Sequence, residues 1–290
     1  MSSTSIPRGL AGGTPRFTPR SLGLGVGWRP ELALAIDRER RLGFIELLAE
    51  DFDPKGPIPP AIDRLRERGS KIVVHGVGLS LGGADRPEPR RLDHLARLAE
   101  RLGAVLISEH IAFVRAGGIE SGHLLPVPRT VEALDVLIEN TREAMRALPV
   151  PLALENIASL VQWPRPEMDE ADFLTALIRR TGVGLLLDVA NVYANARNHG
   201  DDPLEFLDRA PLDALAYVHV AGGIERQSVY HDTHTAPVPK GVLALLGELA
   251  ARASIPGVLL ERDDRFPDAD ELAAELEAIS AAASLGVPRP

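Results

Sequence analysis

Eight short apolar runs, separated by stretches of helical periodicity, constrain the fold of this sequence more than any other feature. Continuous apolar runs of this length are typical of parallel strands whose two faces are both covered. The predicted strands are residues 22–28, 43–49, 71–77, 104–110, 151–157, 183–189, 215–221 and 257–263.

The stretches between the runs predict helices. Residues 88–103 carry leucine at positions 92, 95, 98 and 102, the spacing of an amphipathic helix. Residues 129–148, 168–182, 239–252 and 269–280 show similar patterns. We expect Gly103 and Gly182 to end their helices in the left-handed conformation.

Eight strands alternating with helices predict an α/β protein with a single (β/α)8 TIM barrel. The barrel needs about 250 residues, and the chain has 290. An open, doubly wound sheet is the alternative, but no GxGxxG turn follows the first strand. We expect the barrel to span residues 21–285, after a basic, flexible tail at residues 1–20 that lacks the apolar core of a signal peptide.

Composition limits the possible partners and cofactors. The net charge of −9 argues against nucleic acid as a partner, because non-specific DNA binders rely on clustered Lys and Arg. No apolar run approaches the roughly 20 residues that span a bilayer, and we expect a cytoplasmic protein. The chain has no cysteine, so any metal ion must be held by His, Asp, Glu, Asn or water.

Charged and imidazole side chains stand at or near the carboxyl ends of successive predicted strands. In a parallel barrel these ends meet at one face, which is where barrel enzymes place their active sites. Such residues are costly to bury unless they are paired or bind a cation. The residues concerned are His75, His110, Glu155, Asp188, His219, Asp232, His234 and Glu261.

Four histidines and four carboxylates are too many ligands for one metal ion. Imidazole and carboxylate without thiolate suit zinc, manganese or iron, and shared carboxylates allow two or three ions to lie together. Asp232 and His234 form a D-x-H pair that points the same way if the segment is extended. Taken singly, each residue has a structural alternative, as a hydrogen-bonded histidine or as half of an ion pair.

Other polar residues near the same face are candidates for binding substrate. Glu50 and Asp51 lie near the end of the second predicted strand, and Asn156 follows Glu155. Asn195 and His199 lie in the segment after the sixth strand, where solvated turns are the structural alternative.

Seven ordered motifs resemble those of the multinuclear non-haem iron-dependent oxidases, the family of the methanobactin-biosynthesis enzyme MbnB. The resemblance covers residues 22–280 and implies a barrel like that of xylose isomerase. The motifs are HGVGLSLGG, SEH, LENI, LLLDVANVYANARNHGDDP, HVAGG, DTHTAPVP and LLERDD.

The resemblance also implies a ligand set, a cofactor and a reaction. It adds Asn191 to the eight ligands named above, and it implies two or three iron ions of mixed ferrous and ferric state, with O2 as co-substrate. The implied substrate is a residue, cysteine first and Asp or Asn second, of a ribosomally made precursor peptide. A small leader-binding protein is the implied partner. The chain departs from the family at Gly223 and Leu48, where many members carry histidine.

Three other functions stay open from the sequence. A trinuclear-zinc phosphodiesterase like endonuclease IV uses a similar order of ligands, but this chain has Asn191 where that family places a third-metal histidine. A divalent-metal sugar isomerase or epimerase leaves the D-x-H pair unexplained. A metal-binding scaffold that orders a partner is the alternative that involves no catalysis.

Overall fold

Parallel pairing runs around eight strands in a closed ring. The computed structural model describes residues 17–285. Its strands are β1 (Gly23–Gly27), β2 (Leu42–Leu48), β3 (Lys71–His75), β4 (Leu106–His110), β5 (Ala112–Ala116), β6 (Ile119–Pro126), β7 (Leu152–Glu155), β8 (Gly184–Asp188), β9 (Leu215–Arg226), β10 (Val229–Ala236) and β11 (Gly257–Glu261). The ring runs β9-β11-β1-β2-β3-β4-β7-β8 and closes by pairing of β8 with β9. The predicted TIM barrel is therefore confirmed.

Helices connect and surround the barrel strands. They are α1 (Ala33–Arg38), α2 (Pro60–Glu67), α3 (Pro89–Leu102), α4 (Val131–Ala147), α5 (Glu170–Thr181), α6 (Val189–His199), α7 (Pro203–Arg209), α8 (Lys240–Arg252) and α9 (Ala269–Ala282). Gly103 and Gly182 end α3 and α5 with φ angles of 63° and 76°, as predicted. No helix within residues 17–285 combines the length and the apolar character that crossing a membrane requires.

Two antiparallel hairpins, which the sequence pattern did not predict, extend the carboxyl face of the barrel. One pairs β5 with β6, and the other pairs β10 with the outer part of β9. Their strands carry many polar or exposed residues, and Gly117 and Gly118 form one turn with positive φ. They are missing from the predicted set because apolar runs identify only buried strands.

Apolar side chains fill the amino-terminal part of the barrel interior, and we call them the lower layer. Phe17, from the predicted tail, packs against the lower layer. Residues 1–16 of that tail lie outside the described part of the chain. Gly25 of β1 makes room for the layer, since a β-carbon there would lie 2.3 Å from the Phe44 ring. The lower layer consists of Phe44, Val73, Leu106, Ala153, Leu186, Tyr217 and Leu259.

Candidate metal centre

Polar side chains form the next layer of the barrel interior, and we call them the upper layer. Side chains on the same face of a strand recur every two residues, so each member stands two positions after a lower-layer residue. His110 lies a further two residues along β4. The upper layer consists of Glu46, His75, Ser108, Glu155, Asp188, His219 and Glu261, and all seven are buried.

The first group of possible metal ligands comprises His75, His110 and Glu155. The Nε2 atoms of His75 and His110 lie 3.5 and 3.4 Å from Oε2 of Glu155. One ligand atom from each residue falls within 4.8 Å of the other two. Three donors this close on three adjacent strands form a pocket of the size that a single cation occupies.

The second group comprises Glu155, Asp188 and His219, and Glu261 lies beside it. Nδ1 of His219 is 3.3 Å from Oε1 of Glu155 and 3.3 Å from Oε2 of Glu261. Glu155 therefore offers one oxygen to each of two neighbouring groups, as a bridging carboxylate does.

The third group comprises Asp188, His234 and Glu261. Nδ1 of His234 lies 3.5 Å from Oε2 of Glu261 and 2.9 Å from Oδ2 of Asp263. Asp188 and Glu261 thus connect the third group to the second. The three overlapping groups could hold two or three cations at shared carboxylates.

Asp232 and His234, the D-x-H pair, lie on a backbone that differs from the regular extended strand that the sequence predicts. His234 has φ +52°, and the β9–β10 register shifts between His231 and Ala236. The two side chains still meet, with Nε2 of His234 2.8 Å from Oδ2 of Asp232. The irregular backbone of β10 brings the two side chains together, and not the regular alternation of side chains along an extended strand.

Five buried side-chain atoms of this region have no hydrogen-bond partner among the described residues. Buried polar atoms are normally satisfied, because desolvation without a partner costs about 1–3 kcal/mol each. All five are of the kinds that coordinate metal ions, so the residues fit the metal cluster that the sequence predicts. The atoms are Oε2 of Glu155, Oδ2 of Asp188, Oδ1 of Asn191, Nδ1 of His219 and Oδ1 of Asp232.

The buried histidines and carboxylates of the centre shift one another's pKa values. Burial disfavours the charged imidazole of His110, but the negative charges of Glu155 and Glu109 outweigh this and raise its pKa to about 9. Burial acts to raise the pKa of Glu155, but His219 and His110 lower it to about 2. Burial, and then the charge of Asp232, raise the pKa of Asp188 well above its ordinary value. A metal ion that binds here must displace protons.

Glu46 is a member of the centre that sequence reasoning missed. Its Oε2 lies 3.0 Å from Nε2 of His219 and 2.5 Å from the Tyr217 hydroxyl, and it forms a further group with His219 and Glu261. The sequence signal for Glu46 is its position two residues after Phe44, which places both side chains on the same face of β2. The same step separates Tyr217 from His219 on β9.

The predicted substrate residues occupy different places. Asn156 is buried, where its Oδ1 accepts from the backbone N–H of Asp188 at 2.8 Å and its Nδ2 donates to the Asp188 carbonyl at 3.1 Å. Asn195 and His199 of α6 hydrogen-bond to the backbone of Ser159. Glu50 and Asp51 are exposed at the end of β2. The roles of these residues toward substrate stay predictions.

A cleft beside the centre consists of three cavities that share Arg129, Glu170 and Asn195. The cavities have volumes of about 60, 40 and 180 Å³. Asn156 lines the inner one and Trp163 the middle one. Nε of Arg129 is buried without a hydrogen-bond partner among residues 17–285. Burial raises the pKa of Glu170 to about 7, although Arg129 acts to lower it.

The departure at Gly223 has a structural cause. A β-carbon at this position would lie 2.2 Å from the His231 carbonyl oxygen and 2.7 Å from the Tyr230 ring. The Tyr230 hydroxyl also accepts a hydrogen bond from the Gly223 N–H at 2.8 Å. The hairpin therefore leaves no room for a histidine side chain at position 223.

Two solved structures illustrate the architecture that this chain shares with known proteins. A xylose isomerase domain protein from Planctomyces limnophilus superimposes with a TM-score of 0.57 at 14% identity, over 91% of this chain and 98% of that one. D-psicose 3-epimerase from Clostridium cellulolyticum H10 gives 0.53 at 14% identity, over 90% and 97%. Likeness at this identity establishes the xylose-isomerase-like fold alone.

Sequence relatives and a family model identify the family. A UPF0276 protein of Streptomyces avermitilis is 56% identical over 89% of this chain, which spans 54% of that longer protein. A UPF0276 protein of Caulobacter vibrioides is 40% identical over 88% of this chain and 92% of its own. The model of the RiPP precursor modification enzymes MbnB/TglH/ChrH, which act on ribosomally made peptides, matches residues 23–284. The resemblance drawn from the motifs is thereby confirmed: this chain belongs to the MbnB/TglH/ChrH family of RiPP precursor modification enzymes.

Proposed function

We propose that this protein is an iron- and O2-dependent oxidase that modifies one residue of a ribosomally synthesised precursor peptide. Cysteine is the first candidate for that residue, and Asp or Asn is the second. The observation that carries the proposal is the convergence of five unpartnered, buried ligand atoms above the lower layer. Membership of a peptide-modifying family supports the substrate class.

The proposed cofactor is a cluster of two or three iron ions in mixed ferrous and ferric states. Imidazole and carboxylate ligands without thiolate suit non-haem iron. When bound, the ions would supply the redox chemistry that O2 activation requires. The proposed ligands are His75, His110, Glu155, Asp188, Asn191, His219, Asp232, His234 and Glu261.

The protein's own residues would hold the cluster and present the peptide to it. Glu155, Asp188 and Glu261 each belong to two ligand groups, so they would keep neighbouring ions at a fixed separation. The cleft supports a chain-like substrate, since it extends from Asn156 to the exposed Trp163. Its half-buried Arg129 has no ion pair within 4 Å among the described residues and would bind a peptide carboxylate or carbonyl. The small leader-binding partner belongs to this proposal.

The test is co-expression with the short peptides encoded beside its gene, followed by mass spectrometry of each peptide. We expect a mass change that requires iron and O2 and that the Glu155→Gln variant does not produce. An iron-loaded enzyme that leaves the mass of every peptide encoded beside its gene unchanged would contradict the proposal. Cleavage of abasic-site DNA by the zinc-loaded protein, or epimerisation of a sugar, would replace it with one of the alternatives.

A further inference from the structure

A chain of hydrogen bonds lies beneath the candidate metal centre and joins two of its histidines. Nδ1 of His75 lies 2.8 Å from Oγ of Ser108, and this Oγ lies 2.6 Å from the Tyr217 hydroxyl. The hydroxyl lies 2.5 Å from Oε2 of Glu46, which lies 3.0 Å from Nε2 of His219. All five side chains are buried. We call Ser108, Tyr217 and Glu46 the relay.

The chemistry of the relay allows one consistent direction for its protons. A Glu46 carboxylate only accepts, so the Tyr217 O–H donates to it and His219 donates its Nε2–H. Ser108 then donates its O–H to the Tyr217 oxygen, and its own oxygen is left to accept from His75 Nδ1–H. Every donor in the relay has an acceptor, and no proton is used twice.

This direction places the free lone pairs of both histidines on the ligand groups. His75 is left with an unprotonated Nε2, the atom that lies 3.5 Å from Glu155. In its neutral form His219 has its unprotonated nitrogen at Nδ1, the atom that lies 3.3 Å from both Glu155 and Glu261. A histidine binds a metal ion only through an unprotonated ring nitrogen.

We propose that the relay fixes the tautomers of His75 and His219 and thereby positions them as metal ligands. Ser108 and Tyr217 are then positioning residues, and Glu46 acts as a hydrogen-bond acceptor and not as a ligand. The inference rests on the metal-binding part of the proposed function. Hydrogen bonds from the second nitrogen of a ligating histidine commonly fix its tautomer, and their loss typically costs 10–100-fold in metal affinity.

Tyr217→Phe breaks the relay at its centre. Without the Tyr217 oxygen, Ser108 has lost its acceptor, and its O–H turns to donate to Nδ1 of His75. The His75 proton then moves to Nε2, which cannot bind a metal ion in that form. His219 keeps its bond to Glu46, so the first ligand group should weaken more than the second.

The experiment measures Fe2+ binding to metal-free protein under argon, by competition with a chelator, for wild type, Tyr217→Phe, Ser108→Ala and the double variant. We expect each single variant to bind one Fe2+ about 10–100-fold more weakly than wild type. The double variant should lose little more than either single one, since both break the same chain. Tyr193→Phe is the matched control, because its hydroxyl contacts Arg197 away from the relay, and it should bind as wild type does.

The outcomes separate the relay from the metal centre itself. Wild-type affinity in Tyr217→Phe and Ser108→Ala, or losses that simply add in the double variant, would overturn the relay and leave the metal centre standing. A wild-type protein that binds neither Fe2+ nor Zn2+ would overturn the metal centre and the relay together. If Tyr217→Phe fails to fold, Ser108→Ala decides alone, because that change removes only one buried oxygen.

Discussion

The lower and upper layers of the barrel interior come from the same strands, two residues apart, yet they differ completely in chemistry. Phe44 is followed by Glu46, Leu186 by Asp188, and Leu259 by Glu261. The lower layer buries hydrocarbon, which stabilises the fold by roughly 25 cal/mol per Å². The upper layer buries carboxylates and imidazoles, whose desolvation opposes folding unless they are paired or bind cations. The same strand geometry therefore supports stability at one level and a functional site at the next.

This difference implies that substitutions in the two layers produce separable effects. A lower-layer change that leaves the Tyr217 hydroxyl of the relay in place should alter the free energy of unfolding and leave the number of bound ions unchanged. An upper-layer change should alter metal binding and reaction first. Residues that violate the rule of apolar burial tend to mark functional sites.

The largest effect is expected for Glu155→Gln. The substitution removes the carboxylate charge that the first and second ligand groups share, so we expect loss of at least one ion per chain and of detectable peptide modification. Metal quantification and mass spectrometry of the peptide measure the two effects. Glu132→Gln, at an exposed position of α4, is the control. Normal metal content in Glu155→Gln would contradict the assignment of Glu155 as a ligand.

Phe44→Ala tests the lower layer. Phe44 is fully buried and packs edge-to-face on Tyr217 with ring centroids 5.8 Å apart, so we expect a loss of about 3–5 kcal/mol in the free energy of unfolding. Denaturant titration of metal-free protein measures it. Leu34→Ala, at a side chain that is 77% exposed, should change stability by less than about 0.5 kcal/mol. A change in metal stoichiometry of the folded Phe44→Ala protein would show that the layers are not separable.

The pH dependence of metal binding tests the protonation of the candidate metal centre. Because the pKa of His110 is raised to about 9, a metal ion displaces its proton at any lower pH. Apparent affinity should therefore fall about tenfold for each pH unit below 9 on account of this group. The metal-free protein should show the opposite trend, since the stability from a raised histidine pKa is complete below about 6.5 and is lost as the pH rises through 9. Calorimetry in buffers of different ionisation enthalpy counts the released protons, and a pH-independent affinity would contradict this account.

The smallest effect concerns Glu170, a half-buried carboxylate outside both layers. Its pKa of about 7 lies above the ordinary 4.5, so its protonated form is favoured in the folded state. Its contribution to stability is present below pH 4.5 and is lost as the pH rises through 7. Glu170→Gln should therefore stabilise the protein by about 1–2 kcal/mol at pH 8 and have little effect at pH 4, allowing for partial solvent exposure. Glu132→Gln, also in the first turn of a helix, should show no such pH dependence in thermal unfolding.

The barrel could be predicted from sequence because its signals are local. Each barrel strand is a continuous apolar run, and Gly103 and Gly182 end helices through their own backbone freedom. Most of the centre was predictable for a related reason: a His, Asp or Glu inside an apolar run is costly, and parallel topology brings such residues to one face.

The rest depends on contacts between distant segments. Glu46 was missed because its partner His219 is 173 residues away along the chain. The cleft was missed because Arg129, which precedes α4, and Glu170, the first residue of α5, share a cavity only after folding. The left-handed conformation of His234 follows from the β9–β10 register shift, which the HDTHT stretch does not encode in any recognisable turn motif.

The central claim is that the candidate metal centre holds several iron ions above the lower layer. The most direct test is elemental analysis of protein purified without oxygen, combined with Mössbauer spectroscopy of 57Fe-enriched samples. We predict two or three iron ions per chain, in both ferrous and ferric states and with N/O ligands only. A single ion per chain, or zinc in place of iron, would contradict the claim.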